Sequence, residues 1–135
     1  MRSKRRATLA ISLCAVILMA VILPAVALAS SYYSSLHVGP GQTYTGPARF
    51  YNGKNMHITT NSHSDGTGNY KVILIRNRTW PIPDDDVGYV LVPRNGSGRG
   101  DWSNVGSANY KFKFDNRTSN YDVYCGKNQV HMWSN

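Results

Sequence analysis

Tyr110-Lys111-Phe112-Lys113-Phe114-Asp115 alternates aromatic and charged side chains without a break. A β-strand sends successive side chains to opposite faces, so this stretch offers a core one face of rings and water one face of charges. At about 3.6 residues per turn, a helix would scatter the same rings around its axis. The segment is therefore a strand with one covered face.

Segments on either side of it follow the same logic. Tyr70-Lys71-Val72-Ile73-Leu74-Ile75-Arg76 is apolar on both faces at its centre, which predicts a central strand covered on both sides. Val87-Gly88-Tyr89-Val90-Leu91-Val92 and Trp102–Val105 predict two further strands, with a turn at Asn95-Gly96-Ser97-Gly98-Arg99-Gly100 between them. Asn52-Gly53 lies between residues 48–51 and 54–60 and is the dipeptide of a two-residue hairpin turn. Residues 61–69 are a polar loop by composition, and Pro81, Pro83 and Asp84-Asp85-Asp86 interrupt the chain before Val87. Tyr121–Cys125 and Gln129–Ser134 predict a closing hairpin around Gly126-Lys127-Asn128. All seven acidic residues are aspartates and no glutamate occurs, so good helix formers are scarce where Tyr, Thr, Val, Asn and Gly abound. The whole predicts an all-β chain: an antiparallel β-sandwich of seven to eight short strands, with a small β-barrel as the alternative.

The N-terminus has a different character. A basic start (Arg2, Lys4, Arg5, Arg6), an apolar run over residues 7–29 and a closing Ala27-Leu28-Ala29 predict an export signal over residues 1–29, cleaved near Ala29. Residues 30–47, rich in Ser, Tyr, Gly and Pro, are expected to form a leader with one short edge strand, and residues 48–135 the β-sandwich domain. Removing the signal takes four cations and no acid from a net charge of +8, leaving +4. That balance suits weak attraction to an anionic surface or polymer and not dedicated nucleic-acid binding. Cys14 leaves with the signal, so Cys125 has no intramolecular disulfide partner, and its period-two relation to Tyr121 and Val123 predicts a buried thiol.

Tyr70-Lys71-Val72-Ile73-Leu74, Pro93-Arg94-Asn95-Gly96, Trp102-Ser103-Asn104-Val105-Gly106-Ser107 and Tyr110-Lys111-Phe112 resemble the layout of small secreted proteins of Gram-positive bacteria over residues 50–134. The resemblance implies secretion and a β-sandwich, and carries no catalytic residue across.

Chemistry-bearing clusters are weak. His57, His63 and Asp65 hold zinc-type donors in a spacing that matches no compact metal motif. Asp84, Asp85 and Asp86 carry the oxygens calcium prefers without the loop that usually arranges them. Asp115-Asn116-Arg117-Thr118-Ser119 is similar to the calcium signature of βγ-crystallin domains, but departs from it at Asn120. Cys125 with His131 would be a thiol and its base if their strands were neighbours. No serine sits in a nucleophile elbow, and no cofactor motif is present, so no catalytic residue and no cofactor are expected. What remains is a cationic face formed by Lys111 and Lys113 with Arg76 and Arg78, and exposed aromatic planes at Trp80 and Trp133. These point to a secreted, extracellular binding module for a cell-wall glycan or anionic wall polymer. A small antibacterial or toxin-like effector is the second expectation, and a minor hydrolase the third.

Overall fold

The computed structural model describes residues 29–135, so the predicted signal lies outside the described residues except for Ala29. Nine strands follow in order: β1 (Ser31–Val38), β2 (Thr43–Thr45), β3 (Arg49–Tyr51), β4 (Met56–Ser62), β5 (Asn69–Arg76), β6 (Asp85–Pro93), β7 (Gly96–Trp102), β8 (Ala108–Asp115) and β9 (Val123–Ser134). They form two antiparallel sheets. The first has the order β1-β9-β4-β7; in the second, β2 and β3 both pair with β8 and the order continues through β5 to β6. The expected antiparallel sandwich is what forms, and no barrel closes. Among the described residues, no helix is long and apolar enough to cross a membrane.

The deciding alternation behaves as its period requires. Tyr110, Phe112 and Phe114 are buried between the sheets beside Val72 and Leu74 of β5. Met56, Ile58, Val123, Cys125 and Val130 close the core from the first sheet. Each large apolar side chain buried in this way contributes about 1.5–3 kcal/mol. β5 is a central strand as expected, between β8 and β6, but only Tyr70, Val72 and Leu74 are buried; Lys71 on its other face is exposed.

Three turn predictions are corrected. Asn52-Gly53 does not close a hairpin: β3 pairs with β8 and β4 with β7 and β9, so the chain changes sheets there. Gly53 serves close packing, since a Cβ on it would lie 2.8 Å from the Asn135 carbonyl oxygen. The glycines of 96–100 are strand, not turn. Gly98 and Gly100 face inward on β7, where a Cβ would meet Val92 at 2.8 Å and Val90 at 2.5 Å, so their bareness lets the edges of the two sheets meet. The predicted closing hairpin is one continuous strand, β9, with a bulge opposite Ser34 and Leu36. Asn128 there takes a φ of 59°, and Gln129 Oε1 accepts from the Gly126 amide at 2.6 Å. Residues 30–47 supply β1 to the first sheet and β2 to the second.

Candidate functional site

The outer face of the first sheet carries a row of rings. Register puts Tyr33 (β1) opposite His131 (β9), and Trp133 (β9) opposite His57 (β4). The Tyr33 and His131 rings stack at 4.2 Å with 2° between planes, His131 and Trp133 at 4.5 Å, and Trp133 and His57 at 5.1 Å. Arg99 of β7 places its guanidinium 5.4 Å from the Trp133 ring centre, which extends the stack by a cation–π contact. β1 is an edge strand and Tyr33 is 57 % exposed, so the ring face turned away from His131 is open to solvent.

Polar groups hold this row. His57 Nδ1 lies 2.5 Å from Asp101 Oδ1 and its Nε2 lies 2.9 Å from Asn135 Oδ1. Asp101 also accepts from Arg99 Nε at 3.0 Å, and its carboxyl is held below the usual range first by that bond and then, against the cost of its burial, by His57. Ser31 Oγ lies 2.8 Å from His131 Nε2, and burial lowers the His131 pKa. A shallow groove beside the row is lined by Thr59, Asn61, Ser97, Arg99, Gln129 and His131. Among the described residues, the other ring nitrogen of His131 meets no carboxylate, and His57 spends both nitrogens on Asp101 and Asn135. The row thus sets rings, amides, hydroxyls and one Arg–Asp pair side by side on one sheet face.

Of the expected site residues, Trp133 lies within this row. Trp80 does not: it is 88 % exposed in the connection between β5 and β6. The cationic face is divided. Arg76 points inward, donating to the Val105 carbonyl and, at 3.0 Å, to the Tyr110 hydroxyl, because it shares the face of Val72 and Leu74. Arg78 pairs with Asp85, and Lys111 pairs with Asp84 at 2.6 Å. Among the four cations proposed from sequence, Arg76 and Lys113 have no ion pair among the described residues, and with Arg76 turned inward Lys113 is the one left on the outer face.

The weak metal sets are not assembled. His57 lies near the start of β4 and His63 just past its end, six residues or about 20 Å along the strand direction, so Asp65 cannot join both. Asp84 and Asp85 bind cations, and Asp86 accepts from the Gly88 amide at 3.1 Å. Cys125 and His131 project from opposite faces of β9, the thiol into the core 3.4 Å from Ser62 Oγ and the imidazole into the outer row. In the Asp115–Ser119 segment, Asp115 holds Arg117 and Asn116 is wholly buried. Sequence reasoning missed Tyr33, His131 and Arg99 as partners of Trp133; the His131-x-Trp133 spacing was the local signal for a shared face.

No family model matches the chain, and no curated protein matches it. Among solved structures it is similar to the crystal structure of Yersinia pseudotuberculosis-derived mitogen (YPM), with 12 % sequence identity, 81 % of this chain and 86 % of that chain covered, and a TM-score of 0.43. At that distance the likeness carries no functional argument, and the site has to be judged on its own chemistry.

Proposed function

We propose that the chain is an extracellular glycan-binding module that engages carbohydrate with the outer face of its first sheet, a cell-wall glycan being the first partner to test. One observation carries this reading: the Tyr33–His131–Trp133–His57 stack ends in an open tyrosine face and borders a groove of hydroxyls, amides and a guanidinium. Sugars present flat C–H faces that pack on aromatic rings, and hydroxyls that pair with such polar groups. An anionic wall polymer remains the second mode, with Lys113 as its cation. Lys111 and Arg78 are already neutralised by aspartates, which weakens that mode.

Retention on purified cell walls across a salt series tests the proposal. Contacts between solvated charges are screened as the Debye length falls from about 10 Å at 0.1 M to about 3 Å at 1 M, whereas stacking is not. Retention should persist at 1 M and fail in Tyr33→Ala and Trp133→Ala. Loss with salt and in Lys113→Glu supports the anionic polymer instead. If the wild type is not retained at all, wall binding is wrong and the toxin-like effector becomes the leading reading.

A further inference from the structure

Three connections meet at one end of the sandwich: residues 63–68 between β4 and β5, Arg94-Asn95 between β6 and β7, and residues 116–122 between β8 and β9. They are tied to one another through the backbone and Asn95. The Arg94 amide donates to the Gly68 carbonyl at 2.9 Å, Asn95 Nδ2 donates to the Gly66 carbonyl at 2.7 Å, and Asn95 Oδ1 accepts from the Ser64 amide at 2.9 Å. A Cβ on Gly66 would lie 2.6 Å from the Tyr121 ring, so the first and third connections are in contact.

Arg94 is only 3 % exposed in the middle of this assembly. Its guanidinium donates from Nη1 to Asn116 Oδ1. Asn116 is itself fully buried, and its Nδ2 donates to the carbonyls of Val38, Gly39 and Tyr121, so its oxygen is fixed toward the arginine. An amide oxygen brings no charge. Among the described residues no carboxylate forms an ion pair with Arg94, and Asp115, three positions before Thr118, is occupied by Arg117. Burial accordingly pushes the guanidinium's affinity for its proton down, with only the Tyr70 phenol opposing. Buried charges in proteins are ordinarily paired, because stripping water from an isolated ion is expensive. This one lines a depression walled by Thr67, Asn69, Thr118 and Ser119, all uncharged hydrogen-bonding groups that leave its positive charge unanswered.

We propose that this depression is an oxyanion-binding site, with the Arg94 guanidinium as its fixed cation and the hydroxyls of Thr67, Thr118 and Ser119 as its rim. The ligand chemistry is a carboxylate, sulfate or phosphate group, whose oxygens match the planar fork of a guanidinium and accept from hydroxyls. Asn116 orients the fork, and the three connections hold it in place before the ligand arrives. The site uses none of the residues of the ring face and stands whether or not that face binds glycan.

NMR titration of 15N-labelled protein tests it, with sodium phosphate, sodium sulfate and sodium glucuronate as probes and sodium chloride at matched ionic strength as the control. The Arg94 Nε–H and Asn116 Nδ2 signals should shift saturably with at least one oxyanion and not with chloride. Arg94→Lys keeps the charge but loses the fork, and should weaken binding by at least about tenfold, the loss of one charge-assisted hydrogen bond. Thr118→Val alters an exposed rim residue and leaves the buried network intact; it should weaken binding while the remaining spectrum stays in place, so a folding defect at Arg94 cannot mask the answer. Tyr33→Ala should change nothing. A response to glucuronate alone assigns the site to a sugar acid, and a response to phosphate alone to a phosphate group. If the Arg94 and Asn116 signals of the wild type respond to no oxyanion beyond the chloride control, or if the Asn116 Nδ2 signal titrates in Thr118→Val and Arg94→Lys with the wild-type affinity, the site does not exist.

Discussion

Replacing Gly100 by alanine puts a methyl carbon 2.5 Å from Val90 Cγ2, 3.1 Å from Ile58 Cγ2 and 3.2 Å from Trp102 Cη2. Carbon atoms rest about 3.5–4.0 Å apart, so the first contact is short by about 1 Å. Val90 cannot swing aside cheaply, because a β-branched side chain has few χ1 choices. β6 and β7 must therefore separate where the two sheets meet. Overpacking of this kind costs about 1–3 kcal/mol. Alanine recovers about 0.5–1 kcal/mol by restricting the unfolded chain. The net loss is then about 1–2 kcal/mol, and since 1 kcal/mol moves the melting temperature of a domain this size by about 4–8 °C, the midpoint should fall by about 5–15 °C. Gly46→Ala is the control: its nearest atom, the Phe112 carbonyl oxygen, is 3.7 Å away, an ordinary contact, so its stability should stay within about 0.5 kcal/mol. Thermal unfolding followed by circular dichroism measures both. An unchanged midpoint for Gly100→Ala would refute the argument that these glycines exist for close approach of the sheets.

Other outcomes follow from burial and charge. Burial lowers the His131 pKa below 6.5, so the folded state resists protonation; stability should be intact above about 6.5 and decline as pH falls from there toward the folded value, a slope that His131→Gln should remove in melts between pH 7.5 and 5.5. Asp101 and Asp115, held below 3.8 by Arg99 and Arg117, place their own loss in a separate and more acidic window, as pH falls through their folded values. Trp80→Ala should leave stability within about 0.5 kcal/mol and wall retention unchanged, because its ring is exposed and outside the ring face. Cys125 is buried and its thiol is pushed up, first by burial, so a disulfide reagent at pH 8 should label it slowly in native protein and rapidly in denaturant.

The architecture was legible wherever period two governed. Tyr110, Phe112, Phe114, Val72, Leu74, Val123 and Cys125 are buried as alternation demands. Connectivity was not legible, because among the described strands only β5–β6 joins neighbours as a hairpin and most other connections change sheets. A dipeptide such as Asn52-Gly53 favours a tight turn locally, yet packing against Asn135 at the far end of the chain decides its role. Glycine likewise signals turns, and the 96–100 run used it for space. The site shows the same divide. Trp133 could be nominated from its residue type, but pairing of β1 with β9 joins residues about a hundred positions apart, and only that register puts Tyr33 and Ser31 beside His131. The cationic face failed for a similar reason: Asp84 reaches Lys111 across 27 positions, and strand parity turns Arg76 inward.

Trp133 is the most direct reporter of the proposed binding face, because its indole stands between His131 and His57 and beneath Arg99. Titration of 15N-labelled protein with soluble cell-wall glycan fragments should shift the Trp133 indole N–H saturably at high salt, together with the backbone amides of Tyr33 and His131, while the Trp80 indole stays in place. A Trp133 signal that does not move at saturating glycan, or movement confined to Lys113 and lost in 1 M salt, would contradict the account.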